Sequence, residues 1–451
     1  FLSSGVDYFS RAELVKYGEQ GAILPLNDLI EKYAPEVASA FKETPEYETF
    51  STAPDGKIWG LPFWEDCLHC SYRSKFWINT DWLDKLGLDM PTTPDEFFDV
   101  MMAFKTEDPN GNGVADEIPM TGAAPSSIIP FLMNPFIYVS KPSTAQPASL
   151  GLDGDTVQLQ VAQDGYRQGL EFINKMWAAG LIDPAAFSQD YAAMIATGNH
   201  AGDIILGGGT VNDPGGMVTI GQEDKRDAVY NPVPPLTGPG GQNATYILPS
   251  VPGATFVLTS KASEAKQKKI MEILNYLFSF DGHVRAEFGE EGVGWEKAGP
   301  GDIALDQSLT PTFKDLPFDE KNPADYNGDW RRQAQYNETY DFRNAQVQPL
   351  DTSGTAGYER RLFDATQLYL DKPKDAIFPY WNVWVDPKDN SELATLQVNI
   401  ESFVSTATAE FVTGTRDPSS DAAWEQYLTD LDNLGAARYL EIWQNAYDAN
   451  K

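Results

Sequence analysis

Thr255-Phe256-Val257-Leu258-Thr259 is a β-prone run, and the segment behind it sets Ile270, Ile273, Leu274 and Leu277 at helical spacing. Four β-branched or aromatic residues and a Leu predict a strand; the 3.6-residue spacing marks a helix with one face turned inward. A strand followed by such a helix is the repeating unit of an α/β protein. The alternation recurs upstream. Ile204-Ile205-Leu206 runs into Gly207-Gly208-Gly209, which lacks the Lys-Ser/Thr of a phosphate loop and reads as a strand end that another backbone approaches closely. From Tyr166 to Gly180 a helix carries Leu170, Ile173 and Trp177 on one side. Thr93-Pro94-Asp95-Glu96 is a capping box with Pro at the first helical position, and Phe97, Val100, Met101 and Phe104 then share a face. At the far end Leu396, Ile400, Phe403, Ala407 and Phe411 form a stripe closed by Gly414, with two more helical patterns behind it. The chain is α/β with a helical C-terminal region.

The capped helix delivers the chain into Asp108-Pro109-Asn110-Gly111-Asn112-Gly113-Val114-Ala115-Asp116-Glu117-Ile118-Pro119. Oxygen donors stand at loop positions 1, 3 and 5 (Asp108, Asn110, Asn112), Gly113 allows the turn, position 7 offers the Val114 carbonyl, and Asp116 follows at position 9. This is the first half of an EF-hand loop. The second half departs from it, because Pro119 stands where a bidentate Glu belongs and blocks an exiting helix, leaving Glu117 as the nearest acid. The expectation is a closed structural calcium clip; the plainer reading is an Asx/Gly turn without metal.

With 33 basic and 66 acidic residues the net charge is −33, which argues against nucleic acid and anionic membrane surfaces as partners. At 451 residues two or three compact units are expected. No apolar run reaches the roughly 18 residues of a membrane span. The two cysteines lie together in Cys67-Leu68-His69-Cys70; without a second pair, and with three His in the chain, structural zinc is disfavoured. A short local disulfide and free buried thiols remain the two readings.

Three blocks together resemble one family. The first runs from Gly60-Leu61-Pro62 through Cys67-x-His69-Cys70, Trp77-Ile78-Asn79, Trp82 to Gly87 and Pro91 to Phe97 into Asp116-Glu117-Ile118-Pro119. The second is Gly289-x-x-Gly292-Val293-x-Trp295, and the third runs from Phe411-x-x-Gly414 to Tyr439-Leu440-x-Ile442. They are similar to extracellular, lipoprotein-type (family 1) solute-binding proteins of ABC sugar importers, including the calcium-containing alginate- and oligosaccharide-binding branch. The resemblance implies a two-lobed, type II periplasmic-binding-protein-like clamp, with residues 1–125 and 254–330 in lobe one and 126–253 and 331–451 in lobe two. It implies an oligosaccharide ligand, permease partners in the membrane, a monomer, no catalytic residues, and a structural Ca2+ on Asp108, Asn110, Asn112, the Val114 carbonyl, Asp116 and Glu117. Family members also open with a leader, a lipid-bearing Cys, a strand and a helix ahead of the segment that Phe1 to Leu26 resembles. The expectation is therefore a cell-surface, lipid-anchored protein whose beginning is missing from this chain.

Sugars present apolar C–H faces ringed by hydroxyls, so their sites combine flat aromatics with planar polar groups. Trp64, Glu65 and Asp66 follow a strand end, where α/β ligands sit. Trp295, Trp330, Tyr336, Tyr380, Trp381 and Trp384 stand in irregular segments. These are the binding candidates, each weighed against a ring packed within its own unit. Arg331, Arg332 and Arg343 would serve an acidic sugar. A secreted glycoside hydrolase is the alternative, but among 66 acids no carboxylate pair stands out; a calcium-dependent adhesin would more often show β repeats.

Overall fold

The computed structural model describes residues 2–3, 9–124, 127–139, 150–241, 245–247, 253–316, 336–352 and 354–450, with the backbone alone at 2–3 and 336–338. Four strands form a mixed sheet in the order Thr121–Gly122, Gly208–Val211, Lys75–Asn79, Tyr230–Pro232. The first pair is parallel and the others antiparallel. All five residues of the central strand Lys75–Asn79 are buried, its apolar centre Phe76-Trp77-Ile78 being flanked by the buried polar Lys75 and Asn79. The glycine run has the close approach its sequence implied: a Cβ on Gly207 would lie 2.5 Å from the Pro119 carbonyl oxygen, and one on Gly208 2.6 Å from that of Trp77.

The helix Pro94–Thr106 begins at the capping box formed by Thr93 and Glu96 and buries Phe97, Val100, Met101 and Phe104 as the spacing predicts. Helix Asp164–Ala178 buries Leu170 and Ile173, with Met176 rather than Trp177 completing the inward face. The long helix Asn390–Thr413 lies along it and is followed by Asp421–Asn433 and Ala436–Ala449.

A second group of elements surrounds the run that opened the sequence. Thr255 to Thr259 is not one strand. The amides of Thr255 and Phe256 both turn to the Leu61 carbonyl, at 2.9 and 3.1 Å, and the ladder changes partner there. Gly253–Ala254 pairs with Phe9–Ser10, whereas Phe256–Val257 pairs with Leu2–Ser3. The helix behind it, Glu264–Leu277, packs on Asn27–Tyr33 and Pro35–Glu43 through Met271 and Leu274. Its face is rotated from the expected one, since Ile273 is 50% exposed. Trp295–Lys297 and Phe313–Asp315 form a separate hairpin.

Sheet pairing does not follow the division expected at residue 125. Strands Lys75–Asn79 and Thr121–Gly122 lie in one sheet with Gly208–Val211 and Tyr230–Pro232, so the chain passes from the second group into that of the four-stranded sheet ahead of Lys75. The passage is marked by Trp64–Glu65, which pairs in parallel with Tyr336–Glu338. One apolar core runs through both groups, from Leu26 and Phe50 past Trp64 to Phe76, Leu170 and Phe411.

Two consecutive arginines on the helix Tyr358–Gln367 tie the groups together. Arg360 donates to the carbonyls of Ala304 (2.8 Å), Leu305 (2.9 Å), Gln348 (3.1 Å) and Pro349 (2.7 Å). Arg361 turns the other way, to the carbonyls of Asp227 (2.7 Å) and Tyr230 (2.5 Å) beside the four-stranded sheet. Among the described residues no helix is long and apolar enough to cross a membrane.

Candidate functional site

Charged and aromatic side chains gather where the chain passes between the two groups. Trp64 itself is 2% exposed, its ring 5.6 Å from that of Tyr47, so it forms the floor of this region. Glu65 and Asp66 follow it and are half-buried. Glu65 Oε1 lies 3.8 Å from Arg343 Nη1, and Arg343 Nη2 donates to Glu359 Oε2 at 2.9 Å. The same Glu359 oxygen is 3.8 Å from Nδ1 of His69. Burial, then the charges of Arg343, Lys75 and Arg73, hold His69 well below its ordinary pKa, so its imidazole is neutral.

His69 sits inside the turn closed by the Cys67–Cys70 disulfide. Behind it Lys75 is fully buried, with Nζ donating to the carbonyls of His69 (3.0 Å) and Tyr72 (2.6 Å). Desolvation pushes its pKa down to about 7, against the pull of Asp213. Asp213 follows the C-terminal end of strand Gly208–Val211, accepts from the backbone N–H of Gly215 at 3.0 Å, and receives the hydroxyl of Tyr358 at 2.6 Å. Burial and that carboxylate raise the Tyr358 pKa.

The aromatic part is a chain of rings. Tyr72 lies 5.4 Å from Tyr246 and 6.3 Å from Tyr369, and Tyr246 lies 6.2 Å from the half-buried Trp381. Lys374 Nζ stands 4.2 Å over Tyr246. Asp66 completes the group: after desolvation, its charge is among those that raise the pKa of Tyr246 and of Tyr340. Carboxylates, a guanidinium and tyrosine rings are thus presented together, the donor, acceptor and stacking set that a polyhydroxylated ligand needs.

Of the residues expected to bind sugar, Glu65, Asp66 and Trp381 share this region. Tyr380 is buried beside them, its ring 5.3 Å from that of Trp381, and Trp384 belongs elsewhere. The buried Arg11 donates to the carbonyls of Tyr380 (2.9 Å), Trp381 (2.7 Å) and Val383 (2.5 Å) and lies 4.6 Å from the Trp384 ring. Trp384 lines a separate cavity of about 410 Å³ with Val15, Leu393 and Trp443. Trp295 is 3% exposed and donates its indole N–H to the Gly289 carbonyl at 3.0 Å, in a small core with Val284, Phe313 and Phe342. The backbone of Tyr336 pairs with Trp64; Trp330, Arg331 and Arg332 lie outside the described residues. Sequence reasoning missed His69, Tyr72, Asp213, Tyr246, Tyr358 and Glu359 as members of the site. Asp213, just past a strand end, was the one that position could have indicated.

The loop from Asp108 is closed by its own side chains. Asp108 takes up φ 49°, and its two carboxylate oxygens accept the backbone N–H groups of Gly111, Asn112 and Gly113 at 3.0–3.1 Å. Asn110 and Asn112 donate their amides to Asp116. Glu117 Oε1 is buried with no hydrogen-bond partner, and desolvation, then Asp108 and Asp116, raises the pKa of its carboxyl group. A buried, unpartnered oxygen repelled by two neighbouring acids fits a bound cation. Acid side chains alone do not make a compact cage here. Among the described residues the three-ligand cluster of His, Cys, Asp or Glu atoms within 4.8 Å is Cys67, His69 and Cys70.

The architecture is that of the α/β solute-binding proteins. In fold the chain matches a solute-binding protein of Bifidobacterium longum infantis described as human-milk-oligosaccharide-binding and ABC-transporter-associated, with a TM-score of 0.77 at 23% identity over 98% of this chain and 86% of that one. By sequence the chain is similar to a substrate-binding protein of an ABC transporter and to a lipoprotein. The fructooligosaccharide-binding protein FusA of Streptococcus pneumoniae is 28% identical over 99% of this chain and 80% of its own. Its structure with kestose superposes with a TM-score of 0.69 at 26% identity, covering 100% of this chain and 88% of that chain, and an EF-hand mutant of FusA gives the same score. Lipoprotein LipO of Bacillus subtilis is 25% identical over 59% of this chain and 50% of its own. No protein-family model matches.

Proposed function

We propose that this chain is the extracellular receptor of an ABC importer, which captures an oligosaccharide between two lobes, leaves it uncleaved and hands it to the membrane permease. The reading is carried by the end-to-end similarity to FusA, named for a fructooligosaccharide, joined to the carboxylate, guanidinium and ring set around Glu65, Asp66, Tyr246, Trp381 and Arg343. Lobe one takes residues 9–63 with 253–316 and 336–352, and lobe two takes 75–241 with 354–450; ligand bridging them favours the closed form. Attachment to the cell surface through a lipid, as the name of LipO suggests for that relative, is part of the same reading. The protein acts as a monomer.

Calcium is proposed as a structural ion on Asp108, Asn110, Asn112, the Val114 carbonyl, Asp116 and Glu117. The buried Glu117 oxygen supports it, as does the EF-hand of FusA. When bound, the ion neutralises the crowded acids and fixes the helix Pro94–Thr106 against the following strand.

The test is calorimetric titration of a panel of neutral and acidic oligosaccharides, with calcium present and the sugar recovered afterwards. Saturable heat with intact sugar is the expected result. Time-dependent release of reducing ends would replace the receptor with a hydrolase, and silence across the panel would remove oligosaccharides as the ligand class.

A further inference from the structure

Read as a sequence, Cys67-x-His69-Cys70 is half of a metal site with nothing to complete it. The fold brings in Glu359, remote in the chain, beside His69. We propose that once its disulfide is reduced this turn becomes a binding site for a borderline-soft divalent cation such as Zn2+, held by the Cys67 and Cys70 thiolates, the His69 imidazole and the Glu359 carboxylate.

The sulfur-to-imidazole spacing is that of a ligand set, and the two sulfurs, bonded to each other in the disulfide, separate on reduction. The sulfur and imidazole atoms of Cys67, His69 and Cys70 lie within 4.8 Å of one another, and both ring nitrogens of His69 are 3.6 Å from Cys67 Sγ. Tetrahedral zinc, with Zn–S of about 2.3 Å and Zn–N of about 2.0 Å, has S···N edges of about 3.5 Å. Glu359 Oε2 lies 3.8 Å from His69 Nδ1 but outside the 4.8 Å cluster, so it has to move inward from Arg343 to take the fourth corner. The two cysteines have the two-residue separation of common zinc chelates, and the backbone N–H of Cys70 already points at Cys67 Sγ from 3.3 Å, where it would stabilise a thiolate.

The chemistry balances with an external dithiol or phosphine as reductant. It supplies two electrons to the S–S bond, two protons complete the thiols, and the incoming cation displaces both protons. Attack falls on the sulfur of the half-buried Cys70, since Cys67 is fully enclosed. A set of two sulfurs, a nitrogen and one carboxylate oxygen is distinct from the oxygen-only loop at Asp108, so the two sites sort borderline-soft from hard cations. Glu359 is also the carboxylate that Arg343 holds, so metal at this turn competes with that ion pair.

The experiment uses the calcium-loaded protein, reduced with a phosphine without oxygen and titrated with Co2+ as a spectroscopic stand-in. The expected result is one Co2+ per chain with sulfur-to-metal charge transfer and the intense visible bands of a tetrahedral site, displaced by Zn2+ and absent before reduction. Cys67→Ser/Cys70→Ser abolishes both bands, and Glu359→Gln weakens Co2+ binding at least tenfold with charge transfer retained. A second readout needs no variant: Zn2+ slows modification of the two thiols by a coloured disulfide reagent, and a chelator restores the rate. Reduced protein with no charge-transfer band, or thiols reacting equally fast with and without Zn2+, overturns the proposal. Neither outcome bears on sugar binding.

Discussion

Trp381 is a half-buried member of the ring chain, packed edge to face with the half-buried Tyr246, while Trp64 is sealed beneath. Trp381→Ala is expected to weaken oligosaccharide binding by about 2 kcal/mol, roughly thirtyfold in Kd by calorimetry, with the melting temperature nearly unchanged. A wild-type affinity would remove Trp381 from the site. Lys75 makes a prediction of a different kind. Its pKa falls from 10.5 in the unfolded chain to about 7 when buried, so between those values the unfolded state binds the extra proton. The term this residue adds to stability therefore rises with pH from about 7 to about 10.5. Denaturant titrations across that window should show Lys75→Met lacking this upward slope; parallel curves for the two proteins would show that Lys75 is not the titrating group. At this scale the sequence was partly legible. Glu65 and Asp66 follow an aromatic at a strand end, a local signal, whereas Glu359 and Tyr246 reach the site by tertiary approach and carry no local mark.

Helices were legible where a cap and an apolar stripe agreed. Thr93 and Glu96 fixed the start of Pro94–Thr106, and its four expected core residues are all buried. Where composition gave a broad apolar face, as in Glu264–Leu277, spacing left the rotation undetermined, and packing on two neighbouring helices selected Met271 and Leu274 over Ile273. Strand extent was less legible still, because the break at Thr255 arises from the Leu61 carbonyl and not from any Gly or Pro within the run. The loop that follows Pro94–Thr106 carries the element-scale prediction. With calcium at a hundred times its Kd, binding adds about 2.7 kcal/mol to stability, so a chelator should lower the melting temperature by several degrees. Glu117→Gln should shrink that difference. A melting temperature indifferent to both chelator and added calcium would return the loop to a metal-free Asx/Gly turn.

At the scale of the molecule, the α/β class was legible from alternation, but the passage between groups was not, since only hydrogen-bonded pairing reveals that Lys75–Asn79 belongs with Gly208–Val211. Arg360 and Arg361 make the connection stiff: one helix is fastened to both groups by adjacent residues. Arg360→Met should free one side, giving a larger radius of gyration without ligand by small-angle scattering and weaker sugar binding at unchanged stoichiometry. An unaltered radius would mean that the continuous apolar core holds the groups together by itself. The grip of Arg11 has a consequence of another sort. Its bonds to the carbonyls of Tyr380 and Trp381 close spans of 369 and 370 residues, so the loop presenting Trp381 acquires its shape only when those distant segments have met. Contacts of such separation form late and slowly. During refolding, ligand recognition should lag behind the recovery of helical signal.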